Sequence, residues 1–229
     1  MNHEYNTIEN NGDENMKNIL IIGAGGIGGL LVDLVARAVA ESGFNEHFDR
    51  VTLTVMDGDL VESRNLPHQR FSRTDIGKSK VLALIDSIGI SDGIDLIPVA
   101  TDLTNETDLS MYDLVIVAVD REEPRDLVHE YAAQWLDLRS TGDGVVMFSH
   151  ETSSNILEFH PRLTNGESAS CQLNGAIEKG NIQFGFALAA TFGAQWVIQW
   201  LRGMATPESR MYSIHMGLLP FFVQKEADV

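Results

Sequence analysis

The sequence predicts an α/β fold: a doubly wound, mostly parallel sheet with helices on both faces and a mixed C-terminal part. Three observations predict it. Apolar strands alternate with helical stretches through the first half of the chain. A glycine-rich turn, GAGGIG (Gly23 to Gly28), joins the first strand to the first helix. The segment VTLTVMD (Val51 to Asp57) is β-branched and apolar on both faces, as in a central strand of a covered parallel sheet.

The elements follow in order. NILII (Asn18 to Ile22) reads as the first strand, and a helix runs from the glycine turn to Ala40. Val51 to Asp57 is the second strand. Lys78 to Ile88 has helical spacing, with Val81, Leu82, Leu84, Ile85 and Ile88 apolar. Asp95 to Ala100 and Asp113 to Val119 are further strands. Glu122 to Leu136 reads as a helix with Pro124 in its first turn, where proline is tolerated. GVVMFS (Gly144 to Ser149) and NILEFH (Asn155 to His160) read as two strands. Arg162 to Gly175 is a turn-rich loop. A long apolar helix spans about residues 181–202, and a strand pair lies near MYSIHMGLLPFFV. No linker divides the chain. The polar stretch 1–17 reads as a disordered tail, and 18–229 as a single domain.

Bulk properties narrow the function. The chain has 229 residues and a formal net charge of -17. That charge argues against binding nucleic acid or an anionic membrane, because phosphate backbones attract cationic surfaces. The N-terminus lacks the apolar core of a signal peptide, and no apolar run reads as a membrane span. The one cysteine, Cys171, allows neither an intrachain disulfide nor a cysteine-based zinc site. These features together imply a cytoplasmic protein. His129, His150, His160 and His215 show no metal-ligand spacing. Trp196 and Trp200 lie one helical turn apart and suit a core or dimer face.

One segment departs from the acidic background. Among the seventeen residues Arg64 to Lys80, five are cations (Arg64, Arg70, Arg73, Lys78, Lys80) and one, Asp75, is an anion. A solvated loop would explain this, and so would a grip on a polyanion. The glycine turn bears on the choice. A turn that follows a strand and opens a helix lets phosphates approach the backbone and the free N–H groups of the helix end. A dinucleotide site also predicts an acidic residue roughly twenty residues beyond the turn. Asp57 ends the second strand, but 29 residues beyond Gly28.

The run MDGDLVESRNLPHQRFSRTDIGKSK resembles the signature D-x-D-x-V-x-x-x-N-L-x-R-Q…G-x-x-K of the ThiF/MoeB/ubiquitin-activating family. The matching residues are Asp57, Asp59, Val61, Asn65, Leu66, Gln69, Gly77 and Lys80. VIVAVDREEPR adds the family's later aspartate and arginine as Asp120 and Arg125. The back half, from Ser168 through the apolar helix to the last strand, is similar to the ThiF-like proteins of PRTRC plasmid systems.

The resemblance implies a Rossmann-like adenylyltransferase. Such an enzyme uses ATP and Mg²⁺ to activate the C-terminal carboxylate of a small ubiquitin-like or sulfur-carrier protein, and it works as a homodimer. The carboxylate attacks the α-phosphorus, giving an acyl-adenylate and pyrophosphate. On this reading the basic segment is a triphosphate clamp. Gly23, Gly25, Gly26 and Gly28 cradle the nucleotide, and Asp57 takes ribose hydroxyls. Asp59 either contacts the nucleotide or orders its loop. Asn65, Gln69 and Lys80 contact nucleotide and phosphates, with Lys80 also catalytic. Asp120 holds Mg²⁺. Arg125 is either structural or close to the adenylate.

His68 stands where the family has arginine, and by that match it is expected among the nucleotide-binding residues. Histidine does not replace a bidentate guanidinium, so Arg64, Arg70 or Arg73 is expected to compensate, with Arg70 or Arg73 nearest. The family's N-terminal arginine and its CxxC zinc motifs are missing. Cys171 is either a nucleophile that takes the activated carboxyl or an inert buried thiol. Two other functions stay open: a non-catalytic ThiF-like scaffold and a nicotinamide-dependent oxidoreductase.

Overall fold

A computed structural model describes residues 16–41, 50–89, 93–159 and 171–221. The tail at 1–15, the loop at 160–170 with His160, and the chain after 221 lie outside the described residues. β1 (Met16–Ile22) leads through the glycine turn into α1 (Gly26–Glu41). β2 (Arg50–Met56) is followed by the basic segment, with short 3-10 turns at Ser63–Asn65 and Arg73–Asp75. α2 (Lys80–Ile88), β3 (Ile94–Val99), β4 (Leu114–Val117) and α3 (Glu122–Tyr131) follow. Then come β5 (Trp135–Thr141), β6 (Gly144–Ser149), α4 (Ser154–Phe159), α5 (Gly185–Leu201), β7 (Ser209–Ser213) and β8 (Gly217–Leu219).

The strands form one eight-stranded sheet in the order β3-β2-β1-β4-β5-β6-β7-β8. β3 to β5 pair in parallel, and β5 to β8 pair antiparallel. The expected α/β architecture is therefore present, with the mixed part confined to the C-terminal strands. Chain order reverses between β1 and β4, which opens a crevice at the carboxyl ends of those strands.

Period-two alternation divides the core between the sheet's faces. Ile19, Ile21, Leu53, Val55, Leu114, Ile116, Leu136 and Leu138 pack under α1, α2 and α5. Leu20, Ile22, Val115, Val117, Trp135 and Phe148 pack on the other face with Val128 of α3. All four residues of β4 are buried, as a strand covered on both sides requires. α5 approaches closely because Gly193 has no side chain. A Cβ there would lie 2.5 Å from Leu138 Cδ1 and 3.3 Å from Leu31 Cδ1.

Several expectations are corrected. The helix after Asp120 ends at Tyr131 and not at Leu136, because Trp135 to Asp137 pair with Val115 to Val117 of β4. The good helix formers AAQWL give way to that pairing. Asn155 to Phe159 belong to the helix α4 and not to a strand. The hairpin partner of β6 is β5, joined through a turn at Gly142, whose φ is +61°. The strands expected at Asp113 to Val119 and Val51 to Asp57 stop at Val117 and Met56. That leaves Asp57 and Asp120 just beyond the sheet. Met16 and Lys17, read as part of the tail, pair with Arg50 and Val51.

Candidate active site

The glycine turn is built by close backbone approach. Gly23 has φ +103°, and a Cβ there would come within 2.8 Å of the Ala118 carbonyl oxygen. A Cβ on Gly28 would lie 1.8 Å from the carbonyl oxygen of Gly23. Gly25 differs, since its nearest neighbour would be 3.8 Å away. Gly28→Ala is thus expected to destabilise the protein by at least ~1–3 kcal/mol, read as a lower denaturant midpoint. Gly25→Ala should keep the midpoint and fill the space in front of α1.

Asp57 locks this turn to the next loop. One carboxylate oxygen accepts from Ala24 N–H at 2.7 Å, and the other from Asp59 N–H at 2.8 Å. The basic segment then folds back on itself. Val61 N donates to Lys78 O, Gly77 N to Val61 O, and Lys80 N to Asp59 O, at 2.9, 2.9 and 3.0 Å. Buried Val61 and Phe71 anchor the segment in the core. Lys80, the first residue of α2, is thereby delivered beside Asp59, with Nζ 2.7 Å from Oδ2. Lys80 is buried and Asp59 is exposed.

These groups line a cleft of about 340 Å³ at the carboxyl edge of the sheet. Gly23, Gly25 and Gly26 form one wall with the start of α1. Asp57 and Asp59 follow β2, Asp102 follows β3, and Asp120 and Arg121 follow β4. His68, Gln69, Lys80 and Cys171 complete it. Gly28 braces the turn from behind. The expected residues Gly23, Gly25, Gly26, Asp57, Asp59, His68, Gln69, Lys80, Asp120 and Cys171 are therefore brought together.

The arginines expected to clamp phosphate are not. Arg64 pairs with Glu62 at 2.8 Å, and Arg70 pairs with Asp33 of α1 at 2.8 Å. Arg73 lines a separate shallow groove with Ser63, Leu66, Pro67 and Ile76. Lys78 pairs with Asp75 at 2.9 Å. Of the five cations, only Lys80 lines the cleft. Buried Asn65 orders the segment: its side chain accepts from Glu62 N–H at 2.8 Å, and its carbonyl accepts from Gln69 N–H at 2.9 Å.

Two lining residues, Asp102 and Arg121, were not foreseen. They pair at 3.3 Å. Their signals were available: Asp102 follows β3, and Arg121 adjoins Asp120. Arg125 is buried behind the cleft. It pairs with fully buried Asp137 and donates to the Val119 carbonyl, beside Asp120. Burial pulls its guanidinium down to about 9, and nearby Arg139 acts in the same direction.

The surroundings of His68 and Cys171 favour the neutral form of each. Burial lowers the His68 imidazole, and Lys80 lowers it further. His68 Nδ1 and Gln69 Oε1 are buried atoms without hydrogen-bond partners among the described residues. Burial raises the Cys171 thiol above its usual value. The nearby Ser140 hydroxyl and Arg125 oppose the rise, and Asp120 adds to it. Cys171 is thus a neutral thiol at physiological pH, not an activated thiolate.

The donor set fits a magnesium nucleotide. Glycine N–H groups and Lys80 suit phosphates, Asp57 suits a diol, and Asp120 suits a hard cation whose other ligands are phosphate oxygens and water. Among the described residues, no cluster of three or more His, Cys, Asp or Glu is placed to hold a metal alone. No described helix is long and apolar enough to cross a membrane.

Comparison with known proteins places this geometry. A sequence profile described as the ThiF family matches residues 6–224. No curated protein matches the sequence. Among solved structures, MccB of E. coli with ATP superposes with a TM-score of 0.62 at 18% identity, covering 90% of this chain and 64% of that one. MccB with the selenomethionine form of MccA gives 0.61 at 19% identity, covering 93% and 66%. PaaA gives 0.57 at 15% identity, covering 88% and 62%. The chain thus spans about two thirds of the length of these proteins, and the likeness is one of fold.

Proposed function

Because the chain belongs to the ThiF family, we propose that it is an adenylating enzyme that activates a carboxylate with ATP and Mg²⁺. The carboxylate is read as the C-terminus of a small ubiquitin-like or sulfur-carrier protein. One observation carries this reading. A glycine turn, Asp57, Lys80 and Asp120 converge on one cleft at the switch point of the sheet. That MccB has been crystallised with ATP and with MccA agrees with a nucleotide and a small partner.

The chain's residues would act as follows. The α1 end and glycine N–H groups receive phosphate oxygens. Asp57 accepts from ribose hydroxyls while still bound to Ala24 N–H, since each carboxylate oxygen has a second lone pair. Lys80 leaves Asp59 for the phosphates and offsets charge as it develops. Asp120 would hold Mg²⁺, whose chemistry there would be to offset phosphate charge. A partner carboxylate oxygen bonds to the α-phosphorus as the α–β phosphoanhydride bond breaks, and pyrophosphate leaves with that electron pair. Cys171 lines the same cleft and would take the acyl group from the adenylate, with AMP leaving as the acyl–phosphate bond breaks, only after losing its proton.

A homodimer belongs to the same reading. Both cleft cations, Lys80 and Arg121, are paired with carboxylates. A second copy of the chain could supply the missing positive charge. The same pairing supports the second reading, a family member that binds nucleotide or partner without turnover.

Calorimetric titration with Mg-ATP and with NAD tests the site, and pyrophosphate exchange with a candidate carrier tests turnover. Binding of Mg-ATP without NAD, together with exchange that depends on the carrier, is the expected result. Binding without exchange would favour the scaffold. Binding of NAD alone would overturn the nucleotide assignment.

A further inference from the structure

The cleft is short of free positive charge for a polyphosphate. Four carboxylates line it (Asp57, Asp59, Asp102 and Asp120) against Lys80 and Arg121. Both cations already hold carboxylates, Asp59 and Asp102 respectively. The three arginines of the neighbouring segment lie outside it. One lining side chain can still gain charge, and that is His68.

His68 is held in place from several elements. Its carbonyl oxygen would lie 3.3 Å from a Cβ on Gly26, so its backbone abuts the start of α1. Its ring meets Phe186 of α5 edge-on at 6.2 Å. Gln69 Nε2 is 3.5 Å from its Nε2, and its Nδ1 has no hydrogen-bond partner among the described residues. The charged and titratable groups facing the same space are Lys80 from α2, Asp57 and Asp59 after β2, Asp102 after β3, Asp120 and Arg121 after β4, and Cys171.

The geometry points to His68 as a phosphate-binding residue that takes up a proton when polyphosphate enters the cleft, and so supplies a cation not otherwise free among the cleft's lining residues. The inference rests on the nucleotide reading above and adds a proton to it. In the empty protein, apolar Phe186 and cationic Lys80 favour the neutral ring, which agrees with the lowered imidazole. A phosphate oxygen beside Lys80 reverses the balance. It screens the ammonium and accepts from an imidazolium N–H. The proton comes from solvent, and no bond other than N–H is made. The sign is fixed: ligand that prefers the protonated ring binds more tightly as pH falls, until His68 is already protonated in the free protein.

The test is titration of Mg-ATP into the full chain near about pH 7.5, where an unbound histidine is mostly neutral. It is run in two buffers that differ in ionisation enthalpy. The buffer dependence of the heat gives the protons taken up. Wild type should take up close to one proton more than His68→Gln. Its affinity should fall by up to roughly tenfold per pH unit above neutrality, relative to that variant. Should His68→Gln not bind, His68→Arg, which carries charge without titrating, supplies the baseline. Equal uptake in wild type and variant would overturn the proposal and leave the nucleotide reading standing. Failure of wild type to bind Mg-ATP at any pH would sink both.

Discussion

Asp120→Ala is expected to lower carrier-dependent pyrophosphate exchange by about 10²–10³-fold and to weaken Mg-ATP binding, while the protein still folds. The fold should survive because Asp120 is exposed and follows the buried strand β4. The effect on activity should be large because the cleft has few ways to hold a divalent cation. Asp57 is committed to the Ala24 and Asp59 N–H groups, and Asp102 to Arg121. Asp120→Asn separates charge from shape. If Asp120 only shaped the entry to α3, asparagine would preserve activity, since the two are comparable in such roles. If it holds Mg²⁺, asparagine should fail nearly as badly as alanine, because magnesium prefers an anionic oxygen. Full exchange by Asp120→Asn would remove the metal role.

The sequence announced the parts of this site that depend on backbone position. Gly23, Asp57 and Asp120 end apolar strands, and strands of a parallel sheet end at one edge. Alternation and β-branching located β1, β2 and β4, which are the strands that carry them. The cations were less legible because sequence gives charge but not direction. Arg70 is one residue from Gln69, yet it turns to Asp33 in α1, 37 residues away. Arg64 is satisfied by Glu62, two residues away. Likewise, β5 was hidden because Ala132 to Leu136 favour helix locally, and pairing with β4 on one side and β6 on the other makes this segment a strand. Asn155 to His160 read as a strand because six residues are too few to separate the two periods. Asp102 and Arg121 each follow a strand legible in the sequence, but their pairing across two strand ends is marked by no local pattern.

Arg125→Ala carries the largest expected loss of stability. Asp137 is fully buried in β5, and three side chains converge on it. Arg125 meets one carboxylate oxygen. Arg139 reaches the other at 2.7 Å, and His129 Nε2 lies 3.2 Å from it. Removing Arg125 leaves one oxygen of a buried anion without its cation, which typically costs ~3–5 kcal/mol. For a chain of this size that corresponds to roughly 6–20 °C in melting temperature. The same change frees the Val119 carbonyl, which precedes Asp120. Nucleotide affinity should therefore fall as well, even in protein that remains folded. The double variant Arg125→Met with Asp137→Leu tests the cause. If the loss comes from a stranded charge, removing both partners should recover much of the melting temperature, because buried ion pairs add little net stability over apolar packing. If the pair also fixes the end of β4, the double variant should regain stability without regaining Mg-ATP affinity. Arg125→Ala with an unchanged melting temperature would mean that Arg139 alone neutralises Asp137.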